Sequence, residues 1–210
     1  MIELSGEGDI LEFAIGTGRI ALPLSKKGAH IKGIELSSAM VEKLREKETG
    51  APMEIAIGDM TSTRMSGSFS LVFLVFNTID NLTTQDAQVA CFENAAHHLK
   101  QDGRFLVETH VPPLQNIAFG ETKLAFANDS RHFGVDEFDT ATQKYTSNHV
   151  WMQGERHKYL SIPFRYAWPS ELDLMARIAG LELEFRWSDW DRSPFDRMSK
   201  KHISVWKKRS

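Results

Sequence analysis

The segment EFAIGTGRIA, residues 12–21, restricts the folds open to this chain more than any other stretch. An apolar run, DILEFA (Asp9 to Ala14), leads into it and is broken by Gly16 and Gly18. A short continuous apolar run bounded by glycines reads as a buried strand. From Arg19 to Lys27 apolar residues recur at Ile20, Leu22 and Leu24, and Gly28 supplies a helix end. The two glycines let the chain turn sharply and let backbone approach a ligand closely. The helix behind them aims its amide groups and positive dipole end at the loop, which suits an anionic group.

The same rhythm repeats. IKGIEL (Ile31 to Leu36) reads as a second strand, and Ser37 or Ser38 caps the helix SAMVEKLREKE. MEIAIGDM (Met53 to Met60) is a third strand. FSLVFLVFN (Phe69 to Asn77) is continuously apolar, as a central parallel strand buried on both faces must be. Thr83 or Thr84 caps a long helix to about Leu99, and GRFLVETHV follows as a fifth strand. Alternation of this kind predicts an α/β fold with a doubly wound, Rossmann-like, mostly parallel sheet of seven strands. Ligands then bind beyond the carboxyl ends of the strands, at the switch point.

The rhythm stops after His110. Residues 111–168 lack a helical period, and KYTSNHVWM and ERHKYLSIPFRYAW read as β segments joined near Gln153 and Gly154. An antiparallel β insertion after the fifth strand is the expectation, sized as a lid over a substrate. PSELDLMARIAG then gives a helix, and LELEFRWSDW and HISVWKK give two closing strands, expected as a hairpin at the sheet edge. The chain is thus one domain: a cofactor-binding half (1–110), the lid (111–168) and a closing segment (169–210).

Composition excludes several classes. A formal charge of −3 over 210 residues gives no basic field for nucleic acid. The cationic run KKHISVWKKRS near the end reads as a solvated tail. A single cysteine, Cys91, rules out an intrachain disulfide and reads as a small core residue of the fourth helix. No apolar run approaches the ~20 residues that span a bilayer, and no signal-peptide pattern opens the chain. A cytoplasmic protein without membrane or nucleic-acid partners is expected.

The polar residues at the strand ends carry the chemistry. Glu35 ends the second strand, where a carboxylate accepts both hydrogens of a ribose diol. Gly16, Gly18 and Ala21 also satisfy the G-x-G-x-x-A dinucleotide pattern, so the loop alone leaves a nicotinamide-dependent oxidoreductase open. Asp59 and Met60 end the third strand, where a carboxylate accepts from an adenine amine and a thioether packs on its face. A cap or turn role for Asp59 is the alternative. Asn77 either lines a cavity with Phe76 or, like Asp80, shapes a turn.

In order along the chain, ILEFAIGTGRIALPLSKKGAHIKGIELSSAM, IAIGDM and FSLVFLVFNTIDNL resemble the successive motifs of class I S-adenosylmethionine-dependent methyltransferases. The resemblance runs from about Asp9 to Glu108. The β-rich insertion is similar to that of the small-molecule branch, including enzymes that dimethylate the amino groups of deoxysugars. The resemblance implies S-adenosylmethionine as cofactor and a small-molecule acceptor, with an amine preferred. It puts Glu12, Ala14, Gly16 and Gly18 around the methionine part and Glu35 on the ribose, with Leu36 and Met40 beside the nucleoside. Asp59 and Met60 would read the adenine, and Phe76 and Asn77 would sit by the methionine amino group and the acceptor.

Ala14 stands where the family often has glycine, and its methyl group fits if φ is negative. Only Met1 to Gly8 precede the first strand, where relatives usually carry further helices over the cofactor. A cofactor-binding protein without turnover is therefore the reading from another class. For a proton acceptor the candidates are His110 and Tyr166, with Glu108 and Arg165 near them. Asp80 alone is too little for a metal site, and none is expected. The insertion could also mediate a homodimer.

Overall fold

The computed structural model describes residues 1–154 and 156–209; Glu155, in the second expected lid segment, and Ser210 lie outside them. A short helix α1 (Ile2–Ser5) precedes β1 (Ile10–Phe13), α2 (Ala21–Lys26), β2 (Ile31–Glu35), α3 (Ser38–Arg45), β3 (Ile55–Ile57) and β4 (Phe69–Leu74). A 3-10 turn over Thr78–Asn81 leads to α4 (Gln85–His98) and β5 (Leu99–His110). Four strands follow: β6 (Lys123–Asn128), β7 (His132–Asp139), β8 (Lys144–Gln153) and β9 (Arg156–Arg165). Then α5 (Pro169–Ile178), β10 (Leu181–Trp187) and β11 (Lys201–Lys208) close the chain.

The main sheet has seven strands in the order β10-β11-β5-β4-β1-β2-β3. Central β1 pairs in parallel with β2 on one side (Ile10↔Ile31) and β4 on the other (Ile10↔Leu71). The chain runs outward in opposite directions from that pair, so a crevice opens where the loops after β1 and β4 part. All six residues of β4 are buried, which accounts for its unbroken apolar sequence. The closing hairpin is antiparallel, with β11 inserted between β10 and β5.

Two apolar layers sandwich this sheet. One gathers Phe13, Phe92, Phe105 and Trp206 under α4 and α5, and Cys91 lies fully buried within it. The other gathers Ile10, Ile15, Leu44 and Phe73 under α2 and α3. The helices begin where side chains serve as caps. The Ser37 hydroxyl accepts from the Met40 N–H at the start of α3, and that of Thr84 accepts from Ala87 at the start of α4.

Strands β6 to β9 form a separate antiparallel sheet in sequence order. It is bolted to the core at two places. Tyr145 donates its hydroxyl to the buried Asp80 carboxylate. Arg165, itself buried, pairs with Glu171 at the start of α5, and Gln143 donates to the same carboxylate. The basic run at the end is not a free tail. It forms β11, and Lys207 and Arg209 pair with Asp102 and Glu182 across the sheet edge.

Candidate active site

The glycine loop takes the conformation its sequence calls for. Gly16 and Gly18 both have positive φ, 56° and 75°. At Gly18 a Cβ would also meet Leu22 and Leu44 at 3.0 Å or less, so glycine is required there by space as well as by φ. Ala14 departs from expectation. Its φ is 52°, not negative, so an L-residue occupies a left-handed position at the start of the loop. Such strain persists only when the surroundings impose it. Here Phe13 and Ile15, buried on opposite faces of the sheet, fix the peptide between them.

Two carboxylates sit beneath that loop. Glu35 accepts from the Gly16 N–H at 2.8 Å through one oxygen and from the Ser37 N–H at 2.9 Å through the other. It therefore ties the ends of β1 and β2 together and keeps one lone pair per oxygen for a ligand. Glu12 is 4% exposed, and its Oε2 has no partner among the described residues. Burial pushes its carboxyl well above the usual range; the Ala21 N–H opposes this, and the nearby Glu35 charge adds to it. A cationic ammonium group would satisfy the orphaned oxygen and return the carboxyl to its charged form. The amino-acid end of S-adenosylmethionine carries such a group, so the residues present fit that cofactor.

Four apolar side chains stand exposed along this strand edge: Leu36, Met40, Ile57 and Phe76, at 71, 40, 54 and 50%. Solvent-facing apolar residues rimmed by polar ones mark a ligand groove. Met40 lies beside Gly16. Arg19 lays its guanidinium over the Phe76 ring, 4.6 Å from its centre, and so spans from the glycine loop to the end of β4.

The β4 end carries the strongest local strain. Phe76 and Asn77 both adopt φ of 58°, two successive non-glycine residues in the left-handed region. Their neighbours hold them there. The Phe76 N–H donates to the Glu108 carboxylate, and the Asn77 N–H to the Glu108 carbonyl. The Asn77 side-chain oxygen accepts from the His110 N–H at 2.8 Å. Glu108 is in turn held by the Trp190 indole N–H at 3.0 Å.

Past this corner an open cleft of about 340 Å³ lies between the two sheets. Phe76, Asn77 and His110 line it from the core, and Tyr145, His149 and Phe164 from the lid. Behind His110 lies Asp80, 1% exposed, which accepts from Tyr145 at 3.0 Å. Burial raises Asp80 to about 7, against the Tyr145 and Thr109 hydroxyls and the Arg165 charge. Burial likewise lowers His110 to about 4. The 3.5 Å approach of His110 to Asp80 has ion-pair geometry, yet both groups are neutral between those values. Desolvation outweighs the mutual attraction of the charged forms.

The remaining expected residues divide. Asp59 caps its own turn, accepting from the Thr61 N–H at 2.8 Å, and is exposed at the β3 edge. The Met60 side chain is buried in the core cluster that also holds Phe13 and Ile34. Tyr166 does not reach the cavity. Its ring is 2% exposed, packed against Phe138 and Tyr145 in the lid's own core. The lid residues Asp136, Tyr145, Ser147 and His149 had no local signature; strand pairing alone brings them to the cavity. Among the described residues no group of three or more metal-ligating side chains is assembled, and no helix is long and apolar enough to cross a membrane.

Comparison with known proteins agrees with this geometry. Residues 10–103 match the model of a family described as a methyltransferase domain. The solved CcbJ methyltransferase from Streptomyces caelestis is 33% identical, with a TM-score of 0.88 over 99% of this chain and 86% of that one. The cypemycin N-terminal methyltransferase of a Streptomyces species is 23% identical over 93% of this chain and 81% of its own length. A dTDP-3-amino-3,6-dideoxy-alpha-D-glucopyranose N,N-dimethyltransferase of Streptomyces fradiae is 31% identical over 47% of this chain, spanning 38% of that protein. A relative 33% identical over 99% of this chain, on the same fold, carries the assignment: the chain belongs to the class I S-adenosylmethionine-dependent methyltransferases.

Proposed function

We propose that the protein methylates the nitrogen of a small-molecule amine seated between the β4 corner and the lid. The observation that carries this reading is the neutral His110 imidazole at the cavity wall, backed by Asp80. An amine must arrive uncharged to be a nucleophile, and the neutral His110 imidazole offers a lone pair at the wall to its N–H. Two relatives support the reading by name, one acting on an N-terminus and one on an amino sugar. S-adenosylmethionine supplies the electrophilic methyl group when bound. Glu12 faces its ammonium group, and Glu35 accepts from the ribose hydroxyls. Leu36, Met40 and Asp59 border the nucleoside, with Asp59 in the adenine-reading place. Phe76 and Asn77 divide cofactor from acceptor. The chain's contribution is mainly positioning, which supplies on the order of 7–11 kcal/mol at best.

The test is calorimetric titration with S-adenosylmethionine and, separately, with NAD, followed by release of S-adenosylhomocysteine against panels of amines, alcohols and carbon acids. Binding of the first alone, with turnover on amines, is expected. Turnover confined to alcohols or carbon acids refutes the amine assignment, and failure to bind S-adenosylmethionine refutes the site.

A further inference from the structure

The lid carries a chain of hydrogen-bonding groups that the methyl-transfer reading does not use. On the cavity-facing side of β7 and β8, Asp136 lies directly across from Ser147. One oxygen of Asp136 is buried with no partner among the described residues. Burial raises its carboxyl, while Ser147 across the ladder and the nearby His149 pull it down. Ser147 Oγ lies 3.2 Å from His149 Nε2, and His149 Nδ1 lies 2.9 Å from His132 Nε2. The two rings are parallel within 4°, and each stacks on Trp151. Gly134 leaves room for the Phe126 ring, which packs edge-on against both. His132 is half-buried, and its backbone N–H is held by the exposed Asp129 carboxylate.

We propose that this face is a proton-exit path: Asp136 accepts the proton shed by the methylated amine, and Ser147, His149 and His132 carry it to solvent. The proposal rests on the amine reading above. When a neutral amine gains a methyl group its nitrogen becomes an ammonium, and its lone pair returns only when an N–H proton leaves. Asp136 and Ser147 border the cavity together with His149, so the first acceptor touches the substrate site. The chain can point in two senses. With Asp136 protonated, it donates to Ser147, Ser147 donates to His149 Nε2, and His149 Nδ1–H donates to His132 Nε2. Passing one proton along reverses every bond and releases the proton from His132 Nδ1 to water. Asp136 is then ionised, and both rings are neutral with their protons on Nε2. The charge that remains is on Asp136, ready to accept the next proton, and the far end at His132 is neutral. The other titratable groups facing this cavity, His110 and Tyr145 with Asp80 behind them, form a separate cluster on the core side.

Side-chain 15N spectra of the histidines in the full chain read the tautomers directly. In the unaltered protein at pH 8 the path predicts His149 and His132 with their protons on Nε2. In Asp136→Leu the Ser147 hydroxyl turns to His149, and both rings move their proton to Nδ1. In the smaller change Ser147→Ala, both rings lose their single tautomer and become mixtures. Absence of any change at His132 in either variant overturns the path. Calorimetric binding of S-adenosylmethionine separates the two claims. Unchanged binding with unchanged tautomers refutes the relay alone, whereas no binding by the unaltered protein refutes the reading on which it rests.

Discussion

Asp80→Asn should make this protein more stable, and by more at high pH than at low. The unfolded chain releases the Asp80 proton near 3.8, and the folded protein holds it to about 7. Between those values the folded state binds more protons, so stability falls as pH rises through the window. The difference of about three units, at about 1.4 kcal/mol each, sets a ceiling of ~4 kcal/mol above pH 7. About 3 kcal/mol of that accrues between pH 5 and pH 8. Asparagine keeps the shape, still accepts from Tyr145, and does not ionise. His110, lowered by burial to about 4, is present in both proteins, so its own linkage cancels in the difference. Urea unfolding of both proteins at pH 5, 6, 7 and 8 measures it. The variant should gain on the parent by about 3 kcal/mol across that series. A gap that stays constant with pH would refute the reasoning, because it would mean that Asp80 is ionised in the folded state throughout.

Three further outcomes follow from the same coordinates. Ala14→Gly relieves a left-handed φ of 52° and should raise stability by up to about 1 kcal/mol, seen as a Tm increase of a few degrees. Gly134→Ala drives a methyl group to 2.3 Å from the Phe126 ring; thermal unfolding should show a loss of about 1–3 kcal/mol as the ring is displaced. Glu35→Ala leaves the Gly16 and Ser37 N–H groups without their acceptor and removes the proposed ribose acceptor; calorimetry should find S-adenosylmethionine bound roughly tenfold to hundredfold more weakly.

The first half of the fold is legible because its signals are local. FSLVFL is continuously apolar since both faces of β4 are covered, and Ser37 and Thr84 stand at the helix starts they cap. The third strand is shorter than Met53 to Met60 suggests. Only Ile55–Ile57 joins the ladder, because an edge strand has a single neighbour. Half of the lid was hidden. HFGVDEFD is broken by a glycine and acidic residues, and KLAFAN is a short edge run, so neither looks like a strand until β7 pairs with β6 on one side and β8 on the other. The site divides along the same line. Gly16, Gly18 and Glu35 act within or next to their own loop, and the sequence displays them. Asp136, Ser147 and His149 meet through register, which no single segment encodes. Tyr166 misled for a related reason. A tyrosine near a strand end can face the crevice or the lid's own core, and here the pairing of β8 with β9 turns it inward.

The lid's pairing pattern bears on how this family could change its acceptor. Side chains on a strand alternate between faces, so the cavity reads only every second position: 136 on one strand, and 145, 147 and 149 on the next. The bolts that secure the lid, Tyr145 with Asp80 and Arg165 with Glu171, sit at one end of its strands. Beyond them, a handful of alternate residues can be rewritten without disturbing the parallel core or the cofactor loop. Selection for a new acceptor would then leave a stuttering trace, variable at one parity and quiet at the other.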